Sequence, residues 1–422
     1  MGHISAMYQA ISGTTRSGTL AGSRISSCMA QNKQGNRLMQ PYESRFSAIF
    51  GADHYAFSFW KGRAALYAIL QSMELSDDDE VILPGYTCVV VANAIRYAGA
   101  KPIYADIEQG GFNLNPASVK ERITSKTRAL IVQHTYGIPA DVRSLQAIAE
   151  EHGLKVIEDC AHVLPGSKYQ GELLGSFGTA SFFSSQWSKP YTTGLGGMAI
   201  TRDRELAERL TRTHATFDKP PLRQNAQLQI QYALYQSLFK PKLYWYSQKS
   251  LHALSRLGIF VGSSNTKELT GEKPADVGWR MGAFQQRVGL ARIDDLKPNV
   301  SHRQSLSGYY SDLLRRHGWP IYDHRDAGAI TLLRYPLQVE NKKDLLEWSS
   351  RAGIELGSWF ETPLHPVALA DHHLMDYRLG LCPVAESTAG KVINLPLHER
   401  VTRSDADRIT QFVLSHSSPA SS

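Results

Sequence analysis

Between Val156 and Gly197 the chain carries three side chains whose types suit one kind of chemistry. Asp159 lies at the end of the apolar run KVIED, Ser184 follows TASFF, and Lys189 comes five residues later in SSQWSKP. An acid at the carboxyl end of a strand points where ligands of open α/β sheets bind. An amine, a carboxylate and a hydroxyl together meet the needs of an aldehyde cofactor built on a phosphorylated pyridine. The amine captures the aldehyde, the carboxylate faces the ring nitrogen, and hydroxyls hold the phosphate. Each residue also has an ordinary use, since an acid at a strand end often caps a helix and one lysine among many is usually solvated.

The elements that must position these groups read as an alternating α/β pattern. Seven short apolar runs precede Arg202: YAFSF, EVILP, PIYAD, RALIVQ, KVIED, TASFF and GMAIT. With helical segments between several of them, they predict a mainly parallel or mixed sheet covered on both faces. Gly62 and Arg63 open a helix whose Ala65, Leu66, Ile69 and Leu70 form its apolar face. Unsatisfied N–H groups and the positive dipole end at such a start make an anion site worth about 1 kcal/mol, to which Arg63 adds a charge-assisted bond. No G-x-G-x-x-G follows the first strand, which disfavours a nicotinamide dehydrogenase.

The quoted motifs carry a resemblance. EDCAH, YQGELLGSFG and the lysine followed by TTGLGG are similar to ED-A-(H or Q), Y-G…G-G and S…K…TTGEGG of the sugar aminotransferases named after DegT, DnrJ and StrS. PGYTCVVVANAIRYAGAKPIYADIE, HTYGIPADVRSLQAIAEEHGLKVIED, VGWRMGAFQQRVGLARIDDL and VINLPLHERVTRSDADRI continue it. The resemblance implies the fold-type I architecture of enzymes that use pyridoxal 5'-phosphate. That is a seven-stranded, mostly parallel large domain over residues 41–300, with a smaller C-terminal α/β domain over 301–422.

It also implies roles. Lys189 becomes the amine that binds the cofactor and moves the proton, and Asp159 the partner of the ring nitrogen. His162 contacts the ring oxygen, and Gly62, Arg63 and Ser184 cradle the phosphate. Cys88 stands where relatives often place an aromatic residue that stacks on the ring, so Cys88 packs there or Tyr86 or Tyr136 swings in. Arg280 and His365 are expected substrate contacts, and Asp141 a helix cap. The implied reaction moves an amino group from an amino acid, glutamate first, to a keto sugar carried on a nucleotide, in a homodimer with shared active sites. Two departures stand out: Leu195 replaces the acid of GEGG, and DVGWR replaces G-Y-N-Y-R, so that Gly278 stands where relatives have asparagine. A regulatory protein that keeps the fold without turnover is one alternative. A sugar dehydratase is another, which Lys189 argues against because relatives with that activity carry histidine there.

Composition narrows the partners. The chain has 422 residues, 42% hydrophobic and 20% charged, and a net charge of +7, which suits an acidic partner such as a nucleotide sugar. No nucleic-acid motif appears. Cys28, Cys88, Cys160 and Cys382 lack C-x-x-C spacing, and His365, His372 and His373 lack a cysteine or acid at ligand spacing, so no metal is expected. A cytoplasmic protein is the default expectation. Residues 1–40, rich in Ser, Gly and Thr with no acid before Glu43, read as a disordered or leader segment.

Residues 220–264 read as an insertion. Leu228, Tyr232, Tyr235 and Phe239 recur at helical spacing, and Leu251, Leu254 and Leu257 begin a second amphipathic stretch. A helical hairpin over the active site or dimer seam is the expectation. A membrane or lipid-linked substrate is the sharper alternative, with Lys240, Lys242, Lys249 and Arg256 beside Tyr244, Trp245 and Tyr246. Further on, TLLRYPLQV and GIELGSW are expected strands, and a last helix starts near Ser404.

Overall fold

A computed structural model describes residues 33–34, 37–238, 261–262, 266–321 and 330–420. The leader reading of 1–40 and the second amphipathic stretch of the insertion fall almost wholly outside the described residues. All seven expected strands form one sheet: β1 Tyr55–Phe59, β2 Glu80–Pro84, β3 Lys101–Ala105, β4 Thr127–Gln133, β5 Lys155–Cys160, β6 Ala180–Ser184 and β7 Gly197–Thr201. Their spatial order is β1-β7-β6-β5-β4-β2-β3. β7 runs antiparallel to both its neighbours, and the other pairings are parallel.

Side chains alternate across the sheet, and two apolar clusters follow that alternation. One face carries Phe57, Ile131, Ile157, Phe182 and Ala199. Against it pack α2 (Gly62–Ser72) through Leu66 and Ile69, α3 (Val89–Tyr97) through Ile95, and a later helix, Arg204–Thr216, through Leu210. The other face carries Ala56, Leu130, Val156, Phe183 and Met198. It is covered by α1 (Pro41–Ser47) through Phe46, α4 (Pro116–Arg122) through Val119, and α5 (Val142–Glu151) through Leu145. Asp141 caps α5, its carboxylate accepting from Ser144 N–H, as the sequence suggested.

The alternation separates two neighbouring acids. Glu158 is fully buried and accepts hydrogen bonds from the backbone of Gly175, Phe177 and Gly178 at 2.7–2.8 Å, with His134 Nε2 at 3.1 Å. Because His134 Nδ1 accepts from Ala140 N–H, the ring proton sits on Nε2 and points at Glu158. Glu158 thus holds the GSFG turn that leads into β6, while Asp159 is left to the opposite face.

After α6 (Arg204–Thr216) come α7 (Leu222–Leu238), α8 (Ala283–Arg292) and α9 (Leu296–Arg316). The C-terminal part adds a two-stranded antiparallel ladder of β8 (Tyr335–Gln338) and β9 (Val392–Leu395), with α10 (Lys342–Arg351), α11 (Pro383–Lys391) and α12 (Arg403–His416). The apolar cluster of the first sheet face continues into this part through Tyr310, Leu337, Ile393 and Val413. GIELGSW, expected as a strand, forms only a bridge in which Gly357 and Asn394 exchange two backbone hydrogen bonds at 2.8 and 2.9 Å.

Candidate active site

The parallel register sets Asp159 beside Phe182, two residues before Ser184, so both polar groups leave the sheet at its carboxyl edge on one face. α2 starts beneath them, with no side-chain cap at Lys61. A β-carbon on Gly62 would lie 2.9 Å from Ser184 Cβ, so glycine is what lets the helix start approach the strand end. The Ser184 hydroxyl takes no partner among the described residues. Gly62, Arg63, Cys88, Asp159, His162, Ser184 and Lys189 all line one pocket. The structure therefore brings together all seven residues expected to touch a cofactor.

Lys189 sits on the loop between β6 and β7, nine-tenths buried, with Nζ 5.0 Å from the centre of the Trp359 ring. Burial pushes its amine down to about 8. Asp159 accepts from Ala161 N–H at 2.9 Å, and burial, only partly offset by that bond and by Lys189, raises its carboxyl to about 6. His162 lies parallel to Tyr136 and Trp359, with ring centres 6.1 and 5.5 Å away. Its Nδ1 accepts from Tyr136 N–H at 3.1 Å, and burial holds it well below the ordinary histidine value. The ring is therefore neutral with its proton on Nε2, a donor rather than a cation.

Several expected contacts take other places. Arg63 is buried in an ion pair with Glu268, a residue no motif pointed to, so much of its charge is already answered inside the protein. Tyr86 and Tyr136 do not swing over a ring. Their hydroxyls bond each other at 2.7 Å, Tyr136 donates to the Trp359 carbonyl, and Phe360 N–H donates to Tyr86, so the pair anchors the Trp359–Phe360 loop. His365 is buried beside Cys88 through a short parallel pairing, its Nδ1 accepting from Glu361 N–H, and it stands behind Phe360 outside the Lys189 pocket. Arg280 lines a separate cavity of about 810 Å³ with Tyr42, Lys219 and Arg287. The sequence reading missed Trp359, Phe360 and the buried Arg334, whose guanidinium lies 4.6 Å from the Trp359 ring centre. The only signal for them was the aromatic pair after GIELGS.

An amine, a carboxylate and an uncommitted hydroxyl at a helix start thus converge on one pocket. A model of the DegT/DnrJ/EryC1/StrS aminotransferase family matches residues 27–414. The chain belongs to that family. The pleiotropic regulatory protein of Geobacillus stearothermophilus is 38% identical over 346 residues, 80% of this chain and 78% of that one. A GDP-perosamine synthase of Escherichia coli O157:H7 is 38% identical over 178 residues, a match spanning 42% of this chain and 48% of the relative. PseC of Helicobacter pylori, an aminotransferase involved in the biosynthesis of pseudoaminic acid, shares the fold with a TM-score of 0.68 over 89% of each chain at 22% identity.

The cofactor of DegT/DnrJ/EryC1/StrS aminotransferases is pyridoxal 5'-phosphate, and the residues present fit it. Lys189 offers a buried amine of lowered basicity, and Asp159 a buried carboxylate of which one oxygen accepts from Ala161 N–H. Gly62 and Ser184 frame a cradle that a β-carbon would fill.

Proposed function

We propose that this chain is a pyridoxal 5'-phosphate-dependent aminotransferase that moves an amino group from glutamate to a keto group on a nucleotide-linked sugar. The observation that carries the reading is the convergence of Lys189 and Asp159 on the pocket framed by Gly62 and Ser184. The sugar acceptor is supported by relatives such as the GDP-perosamine synthase, and the acidic nucleotide suits the chain's net charge of +7.

When bound, the cofactor supplies an aldehyde that takes up the donor's nitrogen and a ring that accepts the electron pair left when the donor's Cα loses its proton. Lys189 Nζ is the base for that proton. An amine near 8 is neutral often enough at physiological pH to accept it and acidic enough to return it. Asp159 would hold the ring nitrogen in its protonated form, and His162 would offer its Nε2 proton to the ring oxygen. Ser184 and the first N–H groups of α2 hold the phosphate, and Arg63, already paired with Glu268, lends it the remainder of its field.

The working unit is a homodimer in which Arg280 faces the partner's site, consistent with its place outside the Lys189 pocket. Among the described residues Cys88, Cys160 and Cys382 are unpaired, which suits a reducing cytoplasm.

Purified protein loaded with pyridoxal 5'-phosphate tests the assignment. Wild type should show the near-visible absorption of the lysine-bound cofactor and, with glutamate alone, release 2-oxoglutarate equal to the bound cofactor. Lys189→Ala should lose both. An unchanged spectrum in that variant would overturn the assignment, and absence of 2-oxoglutarate from wild type would favour the regulatory reading that the Geobacillus relative's name suggests.

A further inference from the structure

We propose that α7, the first helix of the 220–264 insertion, is the positioning element for Lys189. The proposal rests on Lys189 being the cofactor-binding amine.

The loop that carries Lys189 is fastened along its length. Lys189 N–H donates to the Gln186 carbonyl and Thr193 N–H to the Ser185 carbonyl, both at 2.9 Å. Tyr191 meets the Tyr42 hydroxyl of α1 at 2.6 Å, Asn299 of α9 donates to the Pro190 carbonyl at 2.9 Å, and Gln285 of α8 donates to the Leu195 carbonyl. These bonds fix the loop's backbone. What presses on its side chains is α7. Trp187, two residues before the lysine, packs its ring 5.1 Å from Tyr235 and 5.9 Å from Tyr232, centre to centre. Leu195 is fully buried in the same apolar cluster as Leu228, Tyr232 and Tyr235, which also takes in Trp60 and Val288. Gly194 adopts φ +85°, and a β-carbon there would meet Leu228 Cδ1 at 3.0 Å and Trp187 Cζ2 at 3.2 Å, so the helix rests directly on the turn.

The departure at Leu195 supplies an independent argument. Relatives with TTGEGG have a carboxylate at this position. In this chain the position is fully buried among apolar groups, where an unpaired carboxylate would be strongly disfavoured. Leu195 and α7 therefore fit one another: an apolar side chain at 195 is what the helix can seat against. Closing this side with Leu228, Tyr232 and Tyr235 keeps water from the base of the loop and fixes where the lysine stem emerges. Desolvation of the amine depends on both.

Full-length, cofactor-loaded protein tests this with two readouts. One is hydrogen–deuterium exchange of the 186–196 segment, and the other is the midpoint of the pH titration of the cofactor band. Leu228→Ala should speed exchange of that segment about tenfold or more and shift the midpoint by about half a unit or more, while Leu228→Met restores both. Tyr235→Leu removes the ring contact with little loss of apolar bulk and should act in the same direction, which keeps the test open if Leu228→Ala does not fold. Leu345→Ala, a fully buried leucine on α10, is the control for lost stability alone and should move neither readout. Exchange and midpoint unchanged from wild type in Tyr235→Leu, or moved equally by Leu345→Ala, would overturn the proposal. Exchange reads the loop whether or not Lys189 binds the cofactor, so a missing band in wild type marks failure of the lysine assignment instead.

Discussion

Leu228 of α7 and Gly194 of the lysine loop touch so closely that a β-carbon on the glycine would fall 3.0 Å from the leucine's Cδ1. The same glycine holds φ +85°, a conformation side chains other than glycine rarely adopt. Gly194→Ala should therefore cost about 1–3 kcal/mol, part from backbone strain and part from overpacking. Denaturant melts of the variant alone and combined with Leu228→Ala separate the two. The packing part should shrink in the double variant and the backbone part should remain.

Asp159 predicts a pH-dependent reversal. In the cofactor-free protein its carboxyl sits at about 6, above its value of 3.8 in an exposed chain, because burial disfavours the charge. The folded state takes up the proton first as pH falls. The cost of the buried charge is thus present in full above about pH 6 and gone below about pH 3.8. Asp159→Asn should stabilise the cofactor-free protein by on the order of 3 kcal/mol at pH 7 and by well under about 1 kcal/mol near pH 4. Once loaded, the same variant should hold the cofactor more weakly, because the ring nitrogen loses its counter-charge. Thermal melts at the two pH values, with and without cofactor, check both halves.

Arg63 and Glu268 should behave as one unit. Each removal takes the ion-pair partner from a buried charge, so Arg63→Ala and Glu268→Ala should each destabilise, by up to about 3–5 kcal/mol. The double variant should lose less than the sum. A Glu268→Ala variant as stable as wild type would show that the guanidinium serves the phosphate alone.

Glu158→Ala should be among the most damaging changes outside the pocket. It strands the N–H groups of Gly175, Phe177 and Gly178, each buried or half-buried, and the loss should exceed about 3 kcal/mol. Glu158→Gln keeps an acceptor and should retain part of that stability. Equilibrium unfolding of the two variants side by side is the measurement.

The sheet was legible because each of its strands is a short apolar run bounded by turn residues, and the site residues because their motif spacing placed them at strand ends. What stayed hidden depends on distance along the chain. The ion pair of Arg63 stayed hidden because Glu268 lies more than two hundred residues away. Tyr86 and Tyr136 looked available because the Trp359–Phe360 loop that uses their hydroxyls comes from the C-terminal part. GIELGSW has the residues of a strand and buries Ile354 and Leu356 alternately, yet it pairs only at Gly357, where Arg334 Nη1 would lie 2.8 Å from a β-carbon. Leu195 read as a missing carboxylate beside the site. The apolar face of α7 was legible at Leu228, Tyr232 and Tyr235, but its seat on the lysine loop was not.

The adjacent acids at the end of β5 make that strand intolerant of slippage. A single inserted or deleted residue upstream of Glu158 would swap the faces of the two carboxylates, turning the scaffold's anchor toward the pocket and the pocket's acid toward the scaffold. Substitution scanning would show two sensitive sites there, and indel scanning would show one indivisible pair.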